Sequence, residues 1–179
     1  FFPSHKLTFS GLVGYLDSLE MQLNWVPDVL IIDSPDLMRV PGKGDRRIEI
    51  GDLFKDIRGL LAERNMIGIV TTQSNREGYG GKIGTTTVAH KLDGRNVGED
   101  FSKYQTSDFF FTFYANEFEQ EVGLAHLFAA KGRRAKDKVE VLLTTNYTLG
   151  QWALRSVELT KSVRENIKKA EAAYKDQTQ

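Results

Sequence analysis

Pro27-Asp28-Val29-Leu30-Ile31-Ile32-Asp33-Ser34-Pro35-Asp36-Leu37-Met38 is the stretch that decides the fold. Four successive apolar residues, two of them isoleucine, lie between Pro27 and Pro35. A run so short, apolar on both faces and closed by proline, predicts a central strand of a parallel sheet buried between helices. Asp33 falls where that strand ends. In open α/β sheets ligands bind just outside the carboxyl ends of the strands, and a carboxylate there can hold a hydrated Mg²⁺ beside a nucleotide's phosphates. On the residues alone, Asp-Ser-Pro-Asp is also ordinary turn chemistry.

Upstream of this stretch, Leu12, Leu16, Leu19 and Leu23 recur at helical spacing, with Val13 widening the stripe, so a helix is expected from Thr8 to Asn24. Residues 1–7 read as an extended lead-in and 39–44 as a flexible connection. Downstream, Asp45 can cap a second helix carrying Ile50, Leu53, Phe54, Ile57, Leu60 and Leu61, with Asn65 as a left-handed stop. Met66–Gln73 repeats the buried-strand pattern. Strand, helix and strand with short links predict a right-handed βαβ unit.

The periodicity then stops. Residues 74–98 hold six glycines and three consecutive threonines, and a loop that long inside a compact domain is usually functional or disordered. Residues 107–115, Leu124–Ala130 and Val139–Thr145 are strand-like, and their short connections suggest antiparallel additions at one side of the sheet. The stripe Leu159, Val163, Ile167, Ala170 and Tyr174 predicts an amphipathic helix over Val157–Tyr174, a packing face to which no chemistry is assigned. The expected domains are 1–154 for the core and 155–179 for the terminal helix and tail.

The chain has 179 residues, 40% hydrophobic and 27% charged, which is ordinary for a soluble globular protein with one full core. Lysine plus arginine and aspartate plus glutamate each number 24, so global charge points to no nucleic-acid partner and any basic surface must be local. The absence of cysteine excludes disulfides and cysteine-based zinc sites. No apolar run approaches the roughly 20 residues of a membrane span. Phe1 in place of Met suggests a piece of a longer polypeptide.

Taken in order, Val29–Asp33, then Val70-Thr71-Thr72-Gln73-Ser74-Asn75-Arg76, then Gly98-Glu99-Asp100 with Ser107-Asp108, then Ala130-Lys131-Gly132-Arg133 resemble the carboxyl-terminal RecA-like ATPase domain of DnaB-type replicative helicases, phage versions especially. The resemblance covers about residues 8–154 and rests on order and spacing rather than on any single motif. It implies an α/β fold with a RecA-like P-loop NTPase core: a central, mostly parallel sheet flanked by helices, antiparallel strands at one side, incomplete at its amino-terminal side, plus a C-terminal helix.

The resemblance also implies site residues. Asp33 matches the Walker B aspartate that positions Mg²⁺. Gln73 matches a glutamine that senses the γ-phosphate of ATP, a role suited to a neutral amide able to donate to a phosphate oxygen. Residues 76–95 correspond to a loop facing single-stranded DNA, with Arg76, Lys82, Lys91 and Arg95 as the cations set against Glu77 and Asp93. Lys131 and Arg133 match a pair that reaches the nucleotide held by the neighbouring subunit of a homo-hexamer. Without the resemblance, Gln73 reads as a polar strand end, His90 as a solvated loop residue, and the basic stretch 131–138 as a hairpin tip. The implied location is the cytoplasm of a bacterial or phage-infected cell.

Two look-alikes are set aside. Ser18-Leu19-Glu20-Met21 spells a tetrapeptide that carries the catalytic glutamate in these helicases, but here it lies inside a helical stripe too close to Asp33. Gly78–Thr85 has Ile83 where Ser or Thr should follow Gly-Lys, and no helix pattern after it. Nowhere does the chain contain Gly-x-x-x-x-Gly-Lys-Ser/Thr. The expectation is therefore a helicase ATPase part that is inactive alone and needs a complementing amino-terminal half carrying the phosphate loop. The alternatives are a non-catalytic RecA-like module binding DNA or a replication partner, and a clock-type or recombinase-type relative.

Overall fold

The computed structural model describes residues 2, 5–42, 44–72, 82–83, 86–87, 102–133 and 139–178. The chain divides into two units, one of residues 1–75 and 97–107, the other of residues 76–96 and 108–179.

The first unit is built on a strand–helix–strand arrangement. Helix α1 spans Phe9–Leu23, opened by Thr8, whose side chain accepts from the Gly11 amide, and closed by Asn24 in the left-handed region. Helix α2 spans Arg46–Glu63 and is capped by Asp45, which accepts from the Arg47 amide at 2.9 Å; Asn65, at φ 53°, turns the chain out of it. Strands β1 (Val29–Ile32) and β2 (Ile67–Val70) pair in parallel, with Val29 opposite Ile67 and Ile32 opposite Val70. The expected parallel pairing is thus present. Leu12 and Leu16 of α1 pack with Leu53, Ile57 and Leu60 of α2, Met38 and Met66, and Leu30 and Ile32 of β1 lie against this core. Gly68 lets α2 come close, because a Cβ there would meet Leu61 Cδ1 at 2.2 Å.

One expectation needs correcting. β1 is not covered on both faces: Val29 and Ile31 are exposed, as are Ile67 and Ile69 of β2. α1 and α2 supply one layer only, so the alternate side chains have nothing to pack on.

The second unit carries a short antiparallel pair, β3 (Lys82–Ile83) with β4 (Thr86–Thr87). It also carries a four-stranded antiparallel sheet in the order β5 (Phe109–Tyr114), β6 (Leu124–Gly132), β7 (Val139–Asn146) and β8 (Gln151–Glu158). The sequence reading anticipated β5 to β7 but not β8, which occupies residues where helix had been expected to begin. The terminal helix α5 runs Lys161–Thr178. Trp152, Ala153, Leu154, Ser156 and Val157 alternate too little to announce an edge strand, and hydrogen bonding to β7 decides it. Between β5 and β6, helix α4 (Glu117–Glu121) begins with a reciprocal capping box between Asn116 and Glu119. Gly123, at φ 69°, then turns the chain into β6.

Candidate active site

In the first unit the carboxyl ends of the parallel pair gather polar side chains. The register that sets Ile32 opposite Val70 carries Asp33 and Thr71 to the same level, and the Thr71 amide extends the ladder by donating to the Ile32 carbonyl at 3.2 Å. Thr71 Oγ1 donates to Asp33 Oδ1, which fixes the orientation of an otherwise exposed carboxylate. One residue further on, Thr72 Oγ1 donates to Asp36 Oδ2 at 2.8 Å. Asp36 leads the short turn Pro35–Leu37 after β1, and its carboxylate also takes an ion pair from Lys103 of helix α3 (Ser102–Thr106).

Lys103 is buried, its side chain only 2% exposed. Its ammonium also donates to Thr72 Oγ1 at 3.2 Å and stands 5.3 Å from the centre of the Phe54 ring. A buried ammonium is tolerated only when paired and hydrogen-bonded, and here both conditions are met. The Lys103–Asp36–Thr72 cluster therefore braces the strand ends from which Asp33 projects.

Among the described residues no group of three or more His, Cys, Asp or Glu is placed to hold a metal ion. Mg²⁺ does not require such a cluster, since it keeps most of its waters and takes one or two carboxylates plus substrate phosphates. An exposed Asp33 with one oxygen held by Thr71 fits that demand. Gln73 lies outside the described residues, directly after Thr72; Arg76, Lys91 and Arg95 do too, and of Lys82 only the backbone is described.

In the second unit, Lys131 is the next-to-last residue of β6 and Arg133 follows the strand. Lys131 stands opposite Phe110 and Gly132 opposite Phe109, with a register shift between Phe110 and Phe111 that leaves Ala130 as an extra residue on β6. Such a bulge re-aims the side chains beside it. The Arg133 amide donates to the Asp108 carbonyl at 2.9 Å, and its guanidinium pairs with the Asp108 carboxylate at 3.0 Å, both side chains about half exposed. Asp108 thus sets where Arg133 starts from. The sequence reading quoted Asp108 without a role and passed over Thr71, Asp36 and Lys103. The signal for the last three was weak: a threonine after a strand, an acid in a turn and a lysine in a short helix acquire meaning only when brought together.

The second unit also buries a polar network that the sequence did not announce. His126 Nε2 meets Glu119 Oε1 at 2.7 Å, and its Nδ1 faces Glu140 Oε1 at 3.3 Å without hydrogen-bond alignment. Glu140 also accepts from the Tyr114 hydroxyl and, at 2.6 Å, from Arg164 of α5. Burial, followed by the hydrogen bond to Glu140, pushes the Tyr114 phenol well above its usual range. α5 is further held by Tyr174, which packs on Phe118 and donates to Glu121.

A mixed α/β chain with a parallel βαβ pair, a polar cluster at its carboxyl ends and an added antiparallel sheet has the architecture of a RecA-like ATPase domain. Among solved structures it resembles the ATPase domain of a DnaB-like replicative helicase, with a TM-score of 0.68 and 14% identity over 86% of this chain and 52% of that one. It also resembles a second DnaB-like replicative helicase, solved for its interactions with primase, with a TM-score of 0.62 and 14% identity over 79% of this chain and 34% of that one. The chain thus spans about half the length of the first of these and a third of the second. No protein-family model and no curated protein matches it. No helix among the described residues is long and apolar enough to cross a membrane.

Proposed function

We propose that this chain is the carboxyl-terminal portion of an ATP-driven DNA helicase motor that works as a ring, with a phosphate-loop segment completing its nucleotide site. The observation that carries the reading is Asp33: an exposed carboxylate, oriented by Thr71, at the carboxyl end of a parallel pair in a fold matching the ATPase domains of replicative helicases.

In this reading Asp33 holds a water of the nucleotide-bound Mg²⁺, and Gln73, two residues past Thr71, senses the γ-phosphate. Lys131 and Arg133 reach the nucleotide of the neighbouring subunit, where cations offset the charge that develops in phosphoryl transfer. The half-exposed Arg133–Asp108 pair suits an arginine that must change partners, because such surface pairs are worth only about 0–1 kcal/mol. Arg76, Lys82, Lys91 and Arg95 track the phosphates of single-stranded DNA without reading bases. The missing phosphate loop favours one second reading, a non-catalytic module that binds DNA or a replication partner.

The test is DNA-stimulated ATP hydrolysis by the chain together with its phosphate-loop segment under ring-forming conditions. Arg133→Ala is expected to lower turnover by about 10³-fold or more, on the scale of an arginine supplied in trans, and Asp33→Asn to abolish it. Turnover indifferent to both substitutions overturns the motor reading, and DNA binding without turnover selects the module.

A further inference from the structure

The two faces of the β1–β2 pair differ. Leu30 and Ile32 look toward α1 and α2, whereas Val29, Ile31, Ile67 and Ile69 are 44%, 67%, 65% and 52% exposed. The register sets Val29 beside Ile67 and Ile31 beside Ile69, so the four form one contiguous aliphatic patch. Parallel strands occur almost only in sheets covered on both faces, and a pair of four-residue strands is too small to stand with one face wet.

We propose that this patch is the seat of the helix that follows the phosphate-binding loop, supplied by the polypeptide encoded immediately upstream of this chain. The inference rests on the motor reading above. Three observations favour this occupant. The patch is a flat ridge of β-branched side chains, which accepts the apolar stripe of an amphipathic helix. A helix packed on a parallel sheet in the βαβ manner runs against the strand direction, so its N-terminus arrives at the carboxyl ends of β1 and β2. That end is where Asp33 and Thr71 lie and where a helix N-terminus binds phosphate. Finally, the first of the two solved ATPase domains is spanned to only 52% of its length, so a domain of this fold contains about as much chain again to supply the second layer.

The chain has no cysteine, which makes single-cysteine labelling clean. Ile31→Cys and Ile69→Cys report on the patch, and Asp56→Cys, on the solvent side of α2, is the control. The probe is the upstream-encoded polypeptide, expressed from its phosphate loop to the residue before Phe1. On adding it, maleimide reaction at positions 31 and 69 is expected to slow about tenfold or more, while position 56 is unaffected. Ile31→Asp combined with Ile69→Asp should abolish association while leaving the melting of the chain alone unchanged. Four results overturn the proposal: association without protection, protection already present in the chain alone, protection that grows with the chain's own concentration, and an upstream sequence lacking a phosphate loop. Protection without ATP hydrolysis leaves the seat standing and removes the motor reading; hydrolysis without protection does the reverse.

Discussion

The parallel pair of the first unit and the antiparallel sheet of the second solve the same problem differently. In the second unit β6 and β7 are neighbours in sequence as well as in the sheet, and they bury alternate residues such as Ala125, Phe128, Leu142 and Leu143. Hairpin connections let such a sheet assemble from local chain. In the first unit β1 and β2 can meet only through α2, and the layer so provided reaches one face. Their charged groups differ as well. The second unit closes His126, Glu119, Glu140, Tyr114 and Arg164 into a network that ties α5 to the sheet. The first places its polar cluster at strand ends, with Lys103 and Asp36 inside and Asp33 outward. A polar group turned inward fixes structure, and one turned outward is available for chemistry.

The contrast can be broken most forcefully at Asp36. Removing one partner of a buried pair leaves an uncompensated charge, so Asp36→Ala is expected to cost about 3–5 kcal/mol in urea unfolding. Lys103→Met should cost less than half as much, because the partly exposed Asp36 keeps Thr72 and water. Equal losses would mean that the pair is no brace for the strand ends.

A smaller effect sharpens the account of the second unit. Tyr114→Phe removes the donor to Glu140 but leaves Arg164 in place, for an expected cost of about 1–2 kcal/mol. The pH dependence follows from the raised folded pKa. Tyrosine in the unfolded chain titrates near about 10, while the folded Tyr114 keeps its proton to higher pH. Its contribution is therefore intact below about pH 10 and is lost as pH rises beyond that value. Melting curves of Tyr114→Phe should accordingly fall less steeply with alkaline pH than those of the parent.

The smallest effect belongs to the bare face. Ile69→Thr in the chain alone should change stability by no more than about 0.5 kcal/mol, as for surface positions generally. A loss several times larger in a denaturant melt would show that the face is already packed.

Much of this was legible from residues alone. The leucine stripe, Thr8, Asp45 and Asn65 announced α1, α2 and their ends, because caps and helical periodicity are local chemistry. The apolar runs around Leu30 and Ile69 announced the strands and their parallel pairing. β8 was not legible, since an exposed edge strand carries little hydrophobic pattern and is specified by its partner β7. Nor were Lys103 and His126, whose burial depends on groups far away in the chain: 67 residues separate Lys103 from Asp36.

The sequence by itself determined the helices, the strands, the absence of a phosphate loop and the position of Asp33 at a strand's end, all of which depend on neighbours within a few turns of chain. The tertiary structure alone decided which charges are paired inside, that Thr71 orients Asp33, that Asp108 holds Arg133, and that one face of the parallel pair stands open. Those outcomes depend on register and on which layers are present, and a linear pattern of apolar and polar residues encodes neither.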